Sequence, residues 1–319
     1  MRILITGGAG FIGSHVAERL LRGGHEIFIL DDLNDFYSPA LKRQNLVAVD
    51  RAGMAGFYDC DIRNAERTRQ ILEELRPGVV IHLAARGGVR PSLEQPLLYE
   101  EVNIRGTLTL LEASRAARVQ KFIFASSSSV YGVGSNLPFR EDDPTQLPIS
   151  PYAATKIAGE QMCFVYSHLY GLKVICLRLF TVYGPRQRPD LAIRKFAELM
   201  EAGRQIQVHG EGQTRRDYTY IDDIVQGIVA SVGHDCSYDV FNLGSSSPVS
   251  LETVIETLEQ ALDRKADIRR VPFQPGDVPV TYADISKARA SLGYEPCTPF
   301  HVGVRNFVEW YHDIQKKRP

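Results

Sequence analysis

The chain has 319 residues, of which 37 are Lys or Arg and 38 are Asp or Glu, so its formal net charge is −1. Neither sign forms a long run, which excludes a polybasic surface for nucleic acid or membranes. The five cysteines lack the spacing of a zinc site, and we expect reduced thiols and no bound metal. No apolar run reaches bilayer length, and a strand predicted from residue 2 leaves no room for a signal peptide. We therefore expect a cytoplasmic protein.

The N-terminal stretch MRILITGGAGFIG predicts a dinucleotide-binding turn. Residues 2–6 are apolar and β-branched, as in a buried strand, and glycines follow at 7, 8, 10 and 13 before a predicted helix. Glycine permits the sharp turn and lets a pyrophosphate approach N–H groups at the helix start. A second strand, 26–30, ends at Asp31, whose carboxylate can bind both adenosine ribose hydroxyls and repels a 2′-phosphate. The pattern favours NAD over NADP; an ordinary glycine-rich turn is the alternative.

Strands and helices then alternate along the chain. Residues 32–52 predict a loop with a short helix, 64–75 and 99–115 predict helices, and 57–61, 78–85 and 121–126 predict strands. This alternation implies an α/β fold, a doubly wound parallel (Rossmann) sheet with ligands at the carboxyl ends of its strands. The alternation is lost after about residue 181. We therefore predict an NAD-binding domain over 1–180 and a smaller mixed α/β substrate lobe over 181–319, with some elements returning to the first domain.

The fifth predicted strand ends in four serines, 126–129, and the next helix carries Tyr152 and Lys156 near its start. The i, i+4 spacing puts phenol and ammonium on the same helix face. A nearby ammonium stabilises phenolate and lowers the tyrosine pKa, which makes the phenol a usable proton acceptor and donor. By themselves the serines fit a polar loop and the Tyr-Lys pair fits a solvated helix face. After an NAD-type turn, a catalytic role is favoured.

The sequence resembles the extended short-chain dehydrogenase/reductases, in particular their NAD-dependent nucleotide-sugar 4-epimerases. The resemblance covers essentially the whole chain and rests on TGGAGFIGSH (6–15), DDLN (31–34), HLAA (82–85), NIRGT (103–107), SSSSVYG (126–132), PYAATK (151–156), FTVYGPRQRPD (180–190), RRDYTYIDD (215–223) and PGDVPVTYAD (275–284). It implies that Tyr152 is the acid/base, that Lys156 is its partner, and that Ser127 or Ser129 binds the substrate's 4-oxygen. The implied cofactor contacts are Gly7, Gly10, Phe11, Ile12, Gly13, Asp31, Asp32, Asn34, Asp61, Ile62, Leu83, Ala84, Ala85, Asn103, Tyr152 and Lys156.

Within this family, the two residues before Val130 separate the reactions. A sugar 4,6-dehydratase is expected to carry an Asp-Glu pair there and a UDP-glucuronate decarboxylase a glutamate, whereas this chain has Ser128 and Ser129. That leaves epimerisation. The stretches GGVRPSLEQP (87–96) and FQPGDVPVTYAD (273–284) resemble the uronate 4-epimerase branch; UDP-glucose 4-epimerases often carry arginine at Gln274. The resemblance implies conversion of UDP-glucuronate to UDP-galacturonate. UDP-glucose 4-epimerisation is the alternative, and a non-catalytic NAD-binding regulator is a remote one.

The same branch resemblance assigns the sugar contacts. Arg188 is the implied ligand of the sugar carboxylate, since a guanidinium can bind a carboxylate by two charge-assisted hydrogen bonds. Phosphate or solvent at Arg186 and Arg188 is the alternative, and Arg90 is a weaker candidate. Arg216 is implied at the diphosphate, with a surface ion pair as the alternative. The implied substrate contacts are Arg90, Ser127, Ser129, Thr181, Arg188, Arg216 and Asp277.

The family resemblance also implies a homodimer, formed by the 99–115 and 152–170 helices. Their apolar content exceeds what one buried face needs, although core packing explains the same residues. We expect no metal at Asp222 and Asp223, because an apolar helix follows and capping of that helix explains both carboxylates.

Overall fold

The computed structural model describes residues 1–133, 135–210, 212–272 and 279–316. Strands run through the whole of this part of the chain. They are β1 (Arg2–Thr6), β2 (Glu26–Asp31), β3 (Gly56–Asp59), β4 (Val79–His82), β5 (Lys121–Ser127), β6 (Lys173–Leu179), β7 (Thr181–Tyr183), β8 (Ile206–His209), β9 (Arg215–Tyr220), β10 (Tyr238–Leu243), β11 (Pro248–Ser250), β12 (Ile268–Val271) and β13 (Val280–Thr281).

The main sheet has seven parallel strands in the order β10-β6-β5-β4-β1-β2-β3. Alternate residues of β1 enter different cores: Ile3 and Ile5 pack on one face of the sheet and Leu4 on the other. Because both faces are covered, the central strands are continuous apolar runs. The strand order reverses between β1 and β4, which is where such sheets bind ligands. The predicted doubly wound α/β fold is confirmed.

Helices flank this sheet and the smaller ones. They are α1 (Phe11–Arg22), α2 (Pro39–Ala52), α3 (Ala65–Leu75), α4 (Val89–Glu94), α5 (Pro96–Glu100), α6 (Gly106–Ala116), α7 (Pro151–Tyr170), α8 (Ala192–Glu201), α9 (Ile221–Gly233), α10 (Leu251–Leu262), α11 (Ser286–Leu292) and α12 (Phe300–Lys316). Within the described ranges, no helix has both the length and the apolar character that crossing a bilayer requires.

Three helical segments differ from the sequence prediction. Helix α2 has 14 residues, where only a short helix is predicted, because its buried face contains Lys42 and Asn45 and lacks an apolar stripe. The helix predicted over 99–115 is interrupted by a π-helical turn, Glu101–Arg105, between α5 and α6. Helix α9 also departs from expectation: Asp223 accepts hydrogen bonds from the Cys297 and Thr298 N–H groups instead of capping its own helix.

The last third of the chain adds small sheets beside the main one. Strand β9 pairs with β7, β11 and β13, and β8 pairs with β12. Strand β10 pairs with β6 and so returns to the main sheet, as foreseen for some elements. The division into domains 1–180 and 181–319 stays a prediction.

Candidate active site

A cavity of about 750 Å³ lies at the carboxyl ends of the main strands. Almost all predicted cofactor and substrate residues line it. These are Gly7, Gly10, Phe11, Ile12, Gly13, Asp31, Asp32, Asn34, Asp61, Ile62, Leu83, Ala84, Ala85, Arg90, Ser127, Ser129, Tyr152, Lys156, Thr181, Arg188 and Arg216. Asn103 does not line the cavity, and Asp277 and Gln274 lie outside the described residues.

The glycine-rich turn between β1 and α1 forms one wall. Gly7 has a φ of +71°, and a Cβ there would lie 2.7 Å from the Ala84 backbone nitrogen. At Gly13 a Cβ would lie 2.3 Å from the Gly7 carbonyl oxygen, so only glycine allows this close approach. Gly10, the N-cap of α1, provides no side-chain hydrogen bond. The first N–H groups of α1 therefore border the cavity without a side-chain acceptor, as an anion site requires.

Asp31 ends β2 at the edge of the same cavity. Its Oδ2 accepts a hydrogen bond from the Ala9 N–H at 3.1 Å, and its Oδ1 accepts one from the Leu33 N–H at 2.9 Å. Burial raises the pKa of this carboxyl, and the positive charge of Lys42 opposes the rise. Lys42 in turn donates to the Asn34 carbonyl oxygen at 2.8 Å. The carboxylate is thus fixed in an orientation that lines the cavity, where it can accept hydrogen bonds from hydroxyl groups.

The neighbouring acidic side chains are held locally. Asp32 Oδ1 accepts hydrogen bonds from the backbone and side-chain amides of Asn34 at 3.1 and 2.6 Å. Asp61 pairs with Arg63, whose Nη2 lies 2.6 Å from Oδ2. These bonds fix the shape of the cavity at the ends of β2 and β3.

Asn103 lies in the π-helical turn, outside the cavity lining. Its Oδ1 accepts a hydrogen bond from the Arg86 N–H at 2.8 Å, and its Nδ2 donates to the Arg86 carbonyl oxygen at 3.0 Å and to Thr155 Oγ1 at 3.1 Å. Asn103 therefore ties the loop after β4 to helix α7. The π-helical turn that carries Asn103 is a feature frequent at functional sites.

Tyr152 lies in the first turn of α7, whose N-cap Ser150 accepts a hydrogen bond from the Ala153 N–H. The Ser127 hydroxyl at the end of β5 lies near enough to Tyr152 to lower the pKa of its phenol. Ser127 Oγ accepts a hydrogen bond from the Ser129 N–H at 3.1 Å. Of the two predicted serines, Ser127 is the one that lowers the tyrosine pKa.

Lys156 lies one turn further along α7. Its Nζ donates to the Ala125 carbonyl oxygen at 2.7 Å and lies 6.0 Å from the centre of the Tyr152 ring. Burial lowers the pKa of Lys156 to about 8. Burial raises the pKa of Tyr152, while Ser127 and the charge of Arg188 lower it. Arg188 therefore adds a positive charge that favours the phenolate, and the pairing of Lys156 with Tyr152 stays a prediction.

A buried ion pair behind the serines holds α7 against the sheet. Glu160, four residues after the lysine, accepts hydrogen bonds from Ser126 Oγ at 2.5 Å and from Arg178 Nη2 at 2.8 Å. Both side chains of this ion pair are only 5% exposed, and each neutralises the other. The sequence analysis missed this pair. The sequence pattern that could have revealed it is the spacing of Glu160, which continues the i, i+4 series of Tyr152 and Lys156.

Arg188 reaches the cavity from the loop after β7. Its Nε and Nη2 donate to the two carboxylate oxygens of Asp190 at 2.9 Å each, and its Cζ lies 5.3 Å from the centre of the Phe36 ring. Asp190 and Phe36 also line the cavity, and the sequence analysis missed both. Arg186 instead pairs with Glu18 of α1 at 2.5 Å. Arg188, and not Arg186, is thus the arginine of this loop that shares the cavity with the catalytic candidates.

Further positively charged side chains line the cavity. Arg90 and Arg216 line it, and Arg216 Nη1 donates to the Arg215 carbonyl oxygen at 2.9 Å. Lys195 in α8 also lines it and is absent from the predicted set. Thr181, the first residue of β7, adds a hydroxyl. One cavity therefore combines an uncapped helix N-terminus, a fixed carboxylate, a half-buried tyrosine and several cations. It can hold two anionic ligands side by side and move a proton at the Tyr152 hydroxyl.

Comparison with known proteins identifies the family of this chain. Residues 4–307 match the protein family described as GDP-mannose 4,6 dehydratase. The chain belongs to this family. The resemblance to the extended short-chain dehydrogenase/reductases is thereby confirmed over nearly the whole chain.

Relatives in this family include named sugar epimerases. The chain is 43% identical over 308 residues to a UDP-glucuronate 4-epimerase from Thermodesulfobacterium geofontis, covering 96% of this chain and 95% of that one. It is also similar to the crystal structure of UDP-glucuronic acid 4-epimerase from Bacillus cereus in complex with UDP-glucuronic acid and NAD. That match has a TM-score of 0.92 and 35% identity, and covers 98% of this chain and 100% of the other. A UDP-glucose 4-epimerase from Thermotoga maritima gives a TM-score of 0.89 and 33% identity, covering 99% and 100%.

Proposed function

We propose that this protein is an NAD-dependent UDP-glucuronate 4-epimerase, an isomerase that forms UDP-galacturonate. The observation that carries the proposal is one cavity, lined by Tyr152, Ser127 and Lys156 together with the guanidinium of Arg188. The named relatives and the uronate-bound structural neighbour support the same substrate class.

The residues of the turn after β1 fit NAD. The N–H groups at the start of α1 have no side-chain acceptor and suit a diphosphate, and Asp31 presents a fixed carboxylate to a ribose. Asp61, Ile62 and the residues of the loop after β4 would border the rest of the cofactor, with Lys156 at the nicotinamide ribose. NAD, when bound, supplies the hydride acceptor at sugar C4 and the hydride donor for the return. Asn103 would act on this site indirectly, by fixing the Arg86 backbone.

The acid/base chemistry falls to Tyr152. As phenolate it takes the proton of the sugar 4-hydroxyl when C4 is oxidised, and it returns a proton to the 4-oxygen on re-reduction. Ser127 is the hydroxyl that positions this oxygen, because it lines the cavity near enough to Tyr152 to lower the phenol pKa, and Ser129 contributes its backbone N–H to hold Ser127. Between the two steps the 4-keto sugar must rotate, so that hydride returns to the opposite face of C4. No second substrate is consumed.

A uronate creates a problem that a neutral sugar does not. The 4-keto intermediate is a β-keto acid, which loses CO₂ readily when its C–carboxylate bond lies perpendicular to the ketone plane. We assign Arg188 the role of holding the carboxylate out of that orientation through a forked pair of hydrogen bonds. Arg90 and Thr181 line the same end, and Arg216 with Lys195 suits the diphosphate. Asp277 remains a predicted sugar contact.

Elimination reactions of the family are disfavoured by the residues present. Dehydration requires a carboxylic acid and a base near the end of β5, where this chain has Ser128 and Ser129 at the cavity wall. UDP-glucose 4-epimerisation needs the same tyrosine and serine but no cation at C6. With a neutral sugar, the edge of the Arg188 guanidinium that Asp190 leaves open would face no carboxylate, so the acid sugar is the better match.

The homodimer is part of the same proposal. Large apolar side chains are exposed on α5 and α7, including Leu97 at 78%, Leu169 at 62% and Phe164 at 48%. Such a patch would be covered if these helices met their copies. A Leu169→Arg variant should sediment as a monomer at concentrations where the wild type sediments as a dimer; a monomeric wild type contradicts the proposal. The cytoplasmic location also stays a prediction.

Isotope transfer tests the reaction class. Incubation with UDP-glucuronate carrying deuterium at C4 should give UDP-galacturonate that keeps the label at C4, since hydride leaves and returns within one active site. Mass spectrometry of the product measures this. Loss of the label to solvent, or release of one reduced cofactor per substrate, would contradict an epimerase and favour another reaction.

A further inference from the structure

The orientation of Arg188 is set before any substrate binds. A guanidinium has two edges that can each hold a carboxylate, one formed by Nε and Nη2 and one by Nη1 and Nη2. Asp190 occupies the first edge with two hydrogen bonds of 2.9 Å. The second edge is therefore the one available to a substrate carboxylate.

Two further contacts fix the plane of this guanidinium. The Phe36 ring lies 5.3 Å from Arg188 Cζ, a stacking distance for a guanidinium on an aromatic face. On the other side Nη1 lies 2.6 Å from where a Cβ on Gly87 would stand, so it rests against the loop after β4. That loop is itself held, because the Tyr99 hydroxyl donates to the Gly87 carbonyl oxygen at 2.8 Å. The guanidinium is thus confined from three directions.

The negative charge of Asp190 has opposite effects on how strongly and how precisely Arg188 binds a substrate carboxylate. Asp190 neutralises part of the positive charge of Arg188, so a substrate carboxylate has to share one guanidinium with a second carboxylate. An arginine without this partner would attract a uronate more strongly. The presence of Asp190 therefore weakens attraction and improves alignment, which is the arrangement expected where the direction of the bound carboxylate matters more than its affinity.

We propose that Asp190 is a positioning residue that keeps the uronate carboxylate in the epimerising orientation by holding Arg188 at its Nε–Nη2 edge. This inference rests on the proposed function. The reaction it suppresses is balanced as follows: hydride from C4 reduces the cofactor, the C5–C6 bond then breaks, CO₂ leaves, and the electron pair of that bond forms an enolate. The enolate takes a proton at C5 and leaves a UDP-4-keto-pentose together with reduced cofactor.

The experiment compares Asp190→Asn with wild type, with Asp190→Glu as the conservative variant. Asp142→Asn is the matched control, since Asp142 forms a similar pair with Arg140 but is exposed and outside the cavity. NMR of the products gives the ratio of UDP-4-keto-pentose to UDP-galacturonate, and absorbance at about 340 nm follows the cofactor. Calorimetry with UDP-glucuronate and with UDP measures binding apart from turnover.

Asp190→Asn should raise the decarboxylated fraction at least about tenfold, the scale of one charge-assisted hydrogen bond. Its affinity for UDP-glucuronate should stay equal or increase, UDP binding should not change, and Asp190→Glu should restore part of the wild-type product ratio. An unchanged product ratio in Asp190→Asn overturns the inference, and so does equal loss of UDP and UDP-glucuronate binding, which would mark a structural role. If wild type does not epimerise UDP-glucuronate at all, the proposed function fails and the inference with it.

Discussion

The two ends of the cavity are built in different ways. The end beside β1 and β2 is formed by consecutive stretches of chain: a glycine turn, backbone N–H groups at the start of α1, and Asp31 fixed by two backbone amides. The other end is formed by side chains from loops far apart in sequence, where Phe36 and Asp190 meet around Arg188.

This difference separates a general function from a specific one. Backbone groups recognise what all dinucleotides share, a diphosphate and a ribose, and they tolerate changes in side chains. Side chains such as Arg188 recognise what distinguishes one sugar from another, and their placement depends on the loops that carry them. Tyr152 lies between the two ends, with Ser127 as its hydroxyl partner. Substitutions at the three places should therefore fail in three distinct ways.

Loss of the tyrosine hydroxyl should have the largest effect. Tyr152→Phe removes the group that moves the proton and should lower turnover by about 10²-fold or more, the scale of a lost general acid or base. Binding of UDP-glucuronate and NAD should remain, because both ends of the cavity are intact. Steady-state kinetics and calorimetry measure the two effects. Tyr166→Phe on the same helix is the control, since its hydroxyl contacts Glu112 outside the cavity; a similar loss in that variant would contradict the assignment.

Arg188→Ala should damage only the sugar end. Loss of two charge-assisted hydrogen bonds should raise KM for UDP-glucuronate between about tenfold and a hundredfold and increase CO₂ release. NAD affinity should not change. Arg140→Ala removes an exposed arginine outside the cavity and serves as the control. Normal uronate binding together with normal epimerisation in Arg188→Ala would contradict the assignment of Arg188 to the sugar carboxylate.

Asp31→Asn should damage only the cofactor end. The substitution removes the negative charge that binds the ribose hydroxyls and repels a 2′-phosphate, so NAD affinity should fall about tenfold and the preference for NAD over NADP should shrink. Fluorescence titration with each cofactor measures the ratio. Asp35→Asn, an exposed neighbour, should leave the ratio unchanged. An unaltered preference in Asp31→Asn would mean that another group selects the cofactor.

A smaller effect should appear in stability and not in recognition. Burial and, to a smaller extent, the positive charge of Lys156 lower the pKa of His82 from 6.5 to about 3, and the ring is hydrogen-bonded to Thr6 and Thr107. Between pH 6.5 and about 3, His82 is protonated in the unfolded chain but not in the folded chain. The free energy of unfolding therefore falls as pH drops below about 6.5. His82→Gln should remove about 1.4 kcal/mol per pH unit from that slope.

Urea unfolding at several pH values between about 6 and 4, where the unfolded histidine is largely protonated and the folded one is not, measures the slope. His301→Gln is the control, because that side chain is exposed. An equal slope in wild type and His82→Gln would show that the buried ring does not take up its proton on unfolding.

The same comparison explains what could be predicted from the sequence. The turn at Gly7, the acidic end of β2 and the Tyr152–Lys156 spacing are local patterns, and the structure places all of them in one cavity. Phe36 carries no local signal, because its contact with Arg188 exists only after the two loops meet, whereas Asp190 lies two residues after Arg188 in the same loop. The sequence predicts only a short helix at α2 because the buried face of that helix is polar, and it does not reveal the π-helical turn that carries Asn103.

Product identification with two substrates tests the central claim most directly. Purified protein and NAD would be incubated with UDP-glucuronate and, separately, with UDP-glucose, and the products identified by NMR. The account predicts conversion of the acid to UDP-galacturonate and little or no conversion of the neutral sugar. Conversion of UDP-glucose alone would leave Tyr152 and the NAD site in place and contradict the role of Arg188.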